Sequence, residues 1–378
     1  MIFGDLQPST ARRTFTASAR LLGTLHLDGQ LLLALSAIAV LGLAILYSAS
    51  GQNEALLLRQ AMRFGLAMAA MIALAQVSPK YLRLWAPWVY AVGVLLLVIV
   101  MFVGVASKGA QRWLDLGFIR FQPSELMKLA VPMMGAWFLN ERPLPPDIKM
   151  LAVLCVLIII PVGLIAEQPD LGTALLIAAS GVFVVLLAGL RARVIVAVTA
   201  LIPLLAWLAW RFMHDYQRKR VLTFINPESD PLGAGYHIIQ SQIAIGSGGV
   251  FGKGWMNGSQ AQLEFLPERS TDFIFAVIGE EFGLLGLLLL LALYLFVVAR
   301  GVFMAIECQD TFARLVAGSV SLTFFVYLFV NAGMVSGLLP VVGVPLPLVS
   351  FGGTSMVTLM AGFGILMSLH SHRKLVGS

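Results

Sequence analysis

Residues 273–299 read FIFAVIGEEFGLLGLLLLLALYLFVVA, and their only charged side chains are Glu280 and Glu281. A helix crosses the ~30 Å hydrocarbon core of a membrane with about 20 apolar residues, so this segment is long enough to span. We predict further spans at 28–48, 56–76, 85–105, 125–140, 150–166, 172–189, 194–212, 313–333 and 354–370. Because lipid cannot satisfy the open edges of a sheet, the predicted fold class is an all-α polytopic membrane protein with about ten transmembrane helices.

The composition supports a membrane protein and excludes other classes. The chain has 378 residues, of which 59% are hydrophobic and 12% are charged, whereas a soluble domain has about 25% charged residues. The net charge is +6, but no basic stripe suggests a nucleic-acid partner. Cys155 and Cys308 show neither a disulfide framework nor metal-ligand spacing.

Basic residues predict the orientation of the chain. They occur in the polar tail 1–27, which carries Arg12, Arg13 and Arg20, and in alternate short connections, at Lys80, Arg83, Arg142, Lys149, Arg191, Arg193, Arg300 and Arg314. Short loops rich in Lys and Arg stay in the cytoplasm, whereas long loops translocate largely regardless of their charge. We therefore predict one transmembrane domain over 1–378, with cytoplasmic termini and a long extracytoplasmic loop at 213–272.

The end of that loop carries a candidate catalytic acid. Asp272 lies where the loop meets the span at 273–299, and Glu268 precedes it by four residues. Ionisable groups at membrane depth are functional candidates, because an unpaired charge there is costly. The alternative is that Thr271 or Asp272 caps the following helix. A cap does not account for Glu280 and Glu281, of which at least one needs a partner or a polar cavity.

A second constellation spans residues 111–128, QRWLDLGFIRFQPSELMK. Glu125 and Lys128 are spaced i, i+3 and can pair on one helix face, either as a structural ion pair or as a cation held ready for an anionic substrate. Arg112 and Arg120 add guanidinium groups suited to bidentate phosphate contacts. Trp113 is a further substrate-binding candidate, with an interfacial anchor as the alternative.

Three more polar stretches fall on the same predicted face. Residues 236–245 predict a re-entrant or interfacial helix that carries Gln242, and the glycine-rich stretch 246–254 is either a turn or a backbone that approaches a ligand. Asp170 is a predicted helix cap. Ser350 and Thr354 lie in a Pro/Gly-rich stretch that is either a helix start or part of the site. We expect these stretches to share one cavity.

The residue types favour one kind of chemistry over another. The five histidines show no Ser-His-Asp arrangement. One positioned carboxylate with several cations suits the transfer of a group away from a phosphate leaving group, with the carboxylate as general base.

Residues 231–249, PLGAGYHIIQSQIAIGSGG, and 263–275, LEFLPERSTDFIF, resemble the SEDS family (shape, elongation, division and sporulation), and its rod-elongation branch in particular. The resemblance covers nearly the whole chain, and the motifs occur in family order. Ser270 departs from the pattern, since many relatives have His there. The resemblance implies a ten-helix peptidoglycan glycosyltransferase of the bacterial cytoplasmic membrane that polymerises lipid II on the extracytoplasmic face. It implies a class B penicillin-binding protein as partner, with the family's essential aspartate at Asp272 and its acid–lysine pair at Glu125 and Lys128.

The resulting hypothesis is an inverting glycosyl transfer. Asp272 deprotonates the 4-hydroxyl of the acceptor GlcNAc, which attacks the anomeric carbon of the donor MurNAc, and undecaprenyl diphosphate leaves. Lys128, Arg112 or Arg269 stabilise the leaving charge, with Lys128 ranked first. No cofactor is certain, and a divalent cation, Mg²⁺ or Mn²⁺, is an optional source of charge. The rival functions are a lipid II flippase and a non-catalytic scaffold.

Overall fold

The computed structural model describes residues 23–107, 110–115, 117, 120–213, 215–230, 233–263, 265–266 and 268–372. The predicted tail with Arg12, Arg13 and Arg20 lies outside the described residues. The helices are α1 (Gly29–Ala49), α2 (Glu54–Ala75), α3 (Pro79–Val103), α4 (Pro123–Leu139), α5 (Ile148–Glu167), α6 (Leu171–Leu187), α7 (Ala192–Phe212), α8 (Asp215–Ile225), α9 (Ala234–Gly248), α10 (Ser259–Gln262), α11 (Ile274–Ile306), α12 (Thr311–Val335) and α13 (Thr354–Ser371).

The predicted spans correspond to α1–α7 and α11–α13. Within the described ranges, seven helices are long and apolar enough to cross a membrane, namely α1, α2, α3, α5, α11, α12 and α13. Of the others, α4 and α6 are shorter, with 17 residues each. Several starts follow simple rules: Asp28, Asn53 and Asp147 cap their helices through side-chain oxygens, and Pro79 and Pro123 occupy first turns.

The core of the bundle is α12, which packs against α4, α6, α11 and α13. Large side chains fill it, including the fully buried Tyr327, Phe324 and Phe312. Around this centre α13 packs against α2, α3 against α4, and α1 against α11. The starts of α4, α6 and α13 therefore come together at the end of the bundle where the long loop lies.

A small antiparallel sheet was not predicted. Its strands are β1 (Val105–Ser107), β2 (Ala110–Asp115) and β3 (Arg120–Phe121), in the order β1–β2–β3. The strands are short and mix polar with apolar residues, so neither a spanning nor an alternating pattern marks them. Gly117, with φ of 85°, lies in the turn between β2 and β3 and takes a left-handed conformation that favours glycine.

The long loop folds onto α11. The predicted helix at 236–245 is confirmed as α9, which packs against α11, and between α8 and α9 lies a 3₁₀ turn, Pro227–Ser229. The glycine-rich stretch after α9 meets a break in α11 at Gly283, where φ is 63° and ψ is −161°. The backbone of this stretch replaces helical hydrogen bonds that α11 lacks at the break. Lys253 N donates to Glu280 O at 3.0 Å, and Leu284 N donates to Gly249 O at 3.0 Å. The glycines therefore let one backbone approach another, and they line neither of the cavities below.

Candidate active site

Two neighbouring cavities lie where β2 and the starts of α4 and α13 meet. The larger has a volume of about 750 Å³ and the smaller about 210 Å³. Trp113, Glu125, Gly353 and Thr354 line both cavities, so the cavities share a wall. The structure thus brings together most of the predicted second constellation and Thr354, one of the two candidate residues of the Pro/Gly-rich stretch.

The predicted pair of Glu125 and Lys128 is present and buried. Pro123 starts α4, which places Glu125 in its first turn and Lys128 one turn later. Lys128 Nζ lies 2.8 Å from Glu125 Oε1, and the two side chains are 6% and 7% exposed. Lys128 Nζ also lies 5.1 Å from the centre of the Tyr327 ring, close enough for a cation–π contact. The ammonium is therefore held between a carboxylate and an aromatic face.

Three buried polar atoms around the smaller cavity have no hydrogen-bond partner among the described residues. They are Arg112 Nε, Glu125 Oε2 and the Tyr327 hydroxyl, and all three side chains line the cavity. Leaving such a group unsatisfied costs about 1–3 kcal/mol. Two donors and one acceptor are therefore buried in side chains that line one cavity.

Arg112 is fixed in place by its other contacts. Its Nη2 donates to the carbonyl of Pro169 at 2.8 Å, and its Nη1 lies 3.4 Å from Asp170 Oδ2. Asp170 also caps α6 by accepting a bond from Thr173 N, as predicted. Arg120, by contrast, is exposed and lies 3.6 Å from Asp115, while lining the larger cavity.

Asp272 is not among the residues that line either cavity, but it lies next to one of them. A Cβ placed on Gly343, which lines that cavity, would stand 3.4 Å from Asp272 Oδ2. The Asp272 carbonyl accepts a hydrogen bond from Asn331 Nδ2 at 2.9 Å. The position of this turn is therefore fixed by α12, and its carboxylate lies at the edge of the space that Lys128 lines.

The alternative interpretation of Asp272, a helix cap, is wrong. The N-cap of α11 is Phe273, so neither Thr271 nor Asp272 caps that helix. Residues 268–273 form a turn in which Thr271 N and Phe273 N donate to the carbonyl of Glu268, whose φ is 50°. Glu268 and Asp272 therefore do not share a helix face.

Ser350 supports this turn rather than lining a cavity. Its hydroxyl donates to the carbonyl of Thr271 at 2.5 Å and accepts from Leu346 N at 2.8 Å. The neighbouring Phe351 N donates to the carbonyl of Ser270 at 2.8 Å. The Pro/Gly-rich stretch before α13 thus fixes the backbone that carries Asp272, while Thr354 starts α13 and lines both cavities.

Three predicted binding residues lie elsewhere. The exposed Gln242 donates to the carbonyl of Ser336 at 3.3 Å. Glu268 accepts a bond from the Thr271 hydroxyl at 2.8 Å, and Arg269 donates to the carbonyl of Ala261. None of the three lines either cavity, so a direct substrate contact by them has no geometric support here.

His237 adds a neutral support next to the turn. Its ring stacks on Phe273 with 5.5 Å between ring centres. Burial lowers the pKa of His237, against a smaller opposing effect of the Glu268 carboxylate. The neutral form of the imidazole is therefore favoured, and its ring packs on Phe273 beside the turn.

The two acids of α11 form a separate buried network. Glu280 Oε1 accepts from Lys253 Nζ at 2.7 Å, from the Ser259 hydroxyl and from Gln260 N, and Oε2 accepts from Ala261 N. Glu281 accepts a bond from the Ser48 hydroxyl. The expectation that at least one of these acids needs a partner is confirmed.

Sequence reasoning missed two residues of the site. Arg63 lies within the apolar run of α2 and lines the larger cavity, and a charge in such a run is a signal that points to function. Tyr327 lines the smaller cavity, and an aromatic residue in an apolar span gives no comparable signal. Among the described residues, no group of three or more His, Cys, Asp or Glu side chains could hold a metal ion.

Known proteins resemble this chain over most of its length. Peptidoglycan glycosyltransferase MrdB of Escherichia coli strain K12 is 55% identical over 356 residues, which cover 93% of this chain and 95% of that protein. A chain of the solved structure "Structural coordination of polymerization and crosslinking by a peptidoglycan synthase complex" is 33% identical with a TM-score of 0.81, covering 92% of this chain and 99% of that one. Rod shape determining protein RodA of Thermus thermophilus is 30% identical with a TM-score of 0.69, covering 92% and 98%.

The family FTSW_RODA_SPOVE, described as cell cycle protein, matches residues 26–375. This match confirms the resemblance drawn from residues 231–249 and 263–275. Together with the apolar helices, it establishes the fold class predicted from the apolar runs. The chain is therefore a multi-pass, all-α membrane protein that belongs to the FTSW_RODA_SPOVE family.

Proposed function

We propose that this chain is a peptidoglycan glycosyltransferase that polymerises lipid II during cell elongation. The observation that carries the proposal is the Asp272 carboxylate next to the cavity lined by Lys128 and Arg112. The similarity to MrdB of Escherichia coli, which is named a peptidoglycan glycosyltransferase, supports the same activity. One transmembrane domain over 1–378 performs it.

Asp272 is the general base in this mechanism. It takes the proton from the 4-hydroxyl of the acceptor GlcNAc, and the oxygen attacks the anomeric carbon of the donor MurNAc. The bond from that carbon to the diphosphate breaks, its configuration inverts, and undecaprenyl diphosphate leaves with the bonding electrons. A general base contributes about 10²–10⁴-fold to such a step.

Lys128 and Arg112 stabilise the charge that develops on the leaving diphosphate. Glu125 holds Lys128 through Oε1, and Oε2 is available to accept a bond from a sugar hydroxyl. Trp113 and Thr354 line the wall shared by the two cavities and contact the sugars. A divalent cation bound largely by substrate phosphates would need few protein ligands, so Mg²⁺ or Mn²⁺ stays an option.

The partner in this proposal is a class B penicillin-binding protein, which crosslinks the strands. The support is the likeness to a chain of a peptidoglycan synthase complex that coordinates polymerization and crosslinking. The active site faces the extracytoplasmic side of the bacterial inner membrane, because the cavity-lining elements lie at the same end of the bundle as the long loop.

Polymerisation from pure lipid II tests the activity. The purified chain is mixed with its partner, whose transpeptidase is blocked by a β-lactam, and glycan strands are resolved by gel electrophoresis. We expect strands that form with the complex and do not form with the partner alone. A chain that moves lipid II across vesicles without making strands would be a flippase, and a chain that does neither would be a scaffold; both outcomes contradict the proposal.

Labelling of engineered cysteines tests the orientation. Two variants are made in a Cys155→Ala background, which lacks the exposed native thiol. Glu228→Cys places a thiol in the long loop, on the predicted outer side, and Glu141→Cys places one after α4, on the predicted cytoplasmic side. We expect an impermeant maleimide to label the first variant in intact cells and the second only after lysis. The reverse result would put the site in the wrong compartment.

A further inference from the structure

Arg63 is a cation inside an apolar helix that no part of the mechanism uses. It lies in α2, is half-buried, and forms no ion pair or hydrogen bond within the described ranges of the chain. Its guanidinium carbon lies 4.5 Å from the centre of the Phe351 ring. A charge at such depth without a carboxylate partner is costly unless a ligand supplies the opposite charge.

The charges of the two cavities differ. In the smaller cavity, Lys128 and Arg112 are matched by Glu125 and Asp170. The larger cavity contains Arg63 and Arg120, and the acid in its wall, Glu125, is already paired with Lys128. Arg120 lies 3.6 Å from Asp115, so Arg63 is the cation of this cavity that has no carboxylate partner among the described residues. The larger cavity therefore has a surplus of positive charge, which favours an anion.

The rest of the larger cavity suits a lipid-linked anion rather than a free one. Leu66, Val105, Phe121 and Val357 supply apolar walls beside Arg63. Phe351 orients the guanidinium, and Gly353 leaves room for it, since a Cβ there would stand 3.1 Å from Arg63 Nε. A stacked guanidinium next to an apolar surface matches a phosphate group attached to a lipid chain.

We propose that Arg63 binds the diphosphate of the second lipid-linked substrate, the acceptor, in the larger cavity. This inference rests on the proposed function, in which both substrates are lipid-linked. The donor's diphosphate is attached to the reacting carbon and so belongs beside Lys128 and Asp272. The acceptor's diphosphate is separated from its reacting hydroxyl by a whole disaccharide, so it belongs in the neighbouring cavity across the shared wall.

Kinetics of the complex with its partner give the first test. Arg63→Met is compared with Arg59→Met, which removes an exposed arginine one turn earlier in α2 that lines neither cavity. We expect Arg63→Met to raise the apparent KM for lipid II about tenfold with kcat largely retained, since a charge-assisted bond to a ligand is lost. Arg63→Lys should recover part of the affinity, because it keeps the charge but not the planar stacking. A loss confined to kcat, or an equal effect of Arg59→Met, would overturn the assignment.

Binding without turnover gives the second test, which does not depend on polymerisation. Asp272→Asn protein in nanodiscs is titrated with lipid II, and bound copies are counted by native mass spectrometry. We expect two copies per chain, falling to one in the Asp272→Asn, Arg63→Met double variant. Equal stoichiometry in both proteins would overturn the inference, as would displacement of lipid II from this site by phosphatidylglycerol or free diphosphate at equal concentration. If Arg63→Met removes one bound copy of lipid II as expected, but the wild-type complex makes no glycan, only the proposed function is refuted.

Discussion

Two glutamate–lysine pairs with buried carboxylates differ in how many of their carboxylate oxygens accept a hydrogen bond. In the pair of Glu280 and Lys253, both carboxylate oxygens accept hydrogen bonds, two of them from backbone N–H groups. In the pair of Glu125 and Lys128, Oε1 binds the ammonium and Oε2 has no partner among the described residues, and the nearby Tyr327 hydroxyl is also unsatisfied. The first pair is complete within the protein, whereas the second leaves one carboxylate oxygen that the proposed mechanism gives to the substrate.

The difference teaches how to separate structure from function in a membrane protein that has few charges. The carboxylates of both pairs are buried, at 7% exposure for Glu125 and 0% for Glu280. Burial alone does not distinguish them, but the count of satisfied atoms does. A satisfied pair should affect stability when it is broken, and an unsatisfied pair should affect turnover.

The largest expected effect comes from the carboxylate beside the unsatisfied pair. Asp272→Asn should lower kcat by about 10²–10⁴-fold, because the amide cannot accept the proton. The melting temperature and partner binding should stay unchanged, since Phe273 rather than Asp272 caps α11. The rate of glycan synthesis by the complex is the measurement, and near-normal synthesis would remove Asp272 as the base.

Breaking the satisfied pair should have the next largest effect, and on stability. Glu280→Gln leaves Lys253 without its carboxylate and replaces an acceptor of two backbone N–H groups, so the free energy of unfolding should fall by about 3 kcal/mol. Thermal unfolding in detergent measures it, with Glu228→Gln in the exposed part of the loop as the matched control. A wild-type melting curve with reduced turnover per folded molecule would contradict the comparison.

Substitution of the two lysines, Lys128 and Lys253, should affect different properties of the protein. Lys128→Met should lower kcat about 10–100-fold, because the charge that stabilises the leaving diphosphate is gone. Lys253→Met should leave the turnover of the folded protein intact and lower its melting temperature. Equal loss of turnover in both variants, measured at the same folded fraction, would show that the pairs do not divide by role.

The smallest effect concerns two buried tyrosines. Tyr327→Phe removes an unsatisfied hydroxyl, so stability should stay the same or rise by about 1 kcal/mol while kcat/KM falls about fivefold. Tyr294→Phe removes a hydroxyl that donates to the carbonyl of Pro347, so stability should fall by about 1 kcal/mol. Melting curves and lipid II kinetics of the two tyrosine variants are the measurements. A stability change of the same sign in both variants would contradict the comparison.

The amino-acid sequence predicts the parts of this molecule that repeat a simple pattern. Apolar runs of spanning length give the ten helices, and i, i+3 spacing gives the pair of Glu125 and Lys128. The sheet at 105–121 is missed because its strands are only two to six residues long. The placement of Ser350, Glu268 and Arg269 depends on how loops meet across the fold, which local spacing does not encode.

The break in α11 at Gly283 has a consequence for the thickness of the membrane. An unbroken helix of 33 residues would be about 50 Å long, well beyond a hydrocarbon core of ~30 Å. Below Gly283, residues 284–306 form a rod of roughly 34 Å that matches the core with a modest tilt. Above it, residues 274–282 are bonded to the long loop and follow that loop instead of the bilayer. Because the loop also bonds to the first residues of the rod, with Leu284 N donating to Gly249 O at 3.0 Å, it joins the rod to the segment that follows the turn carrying Asp272.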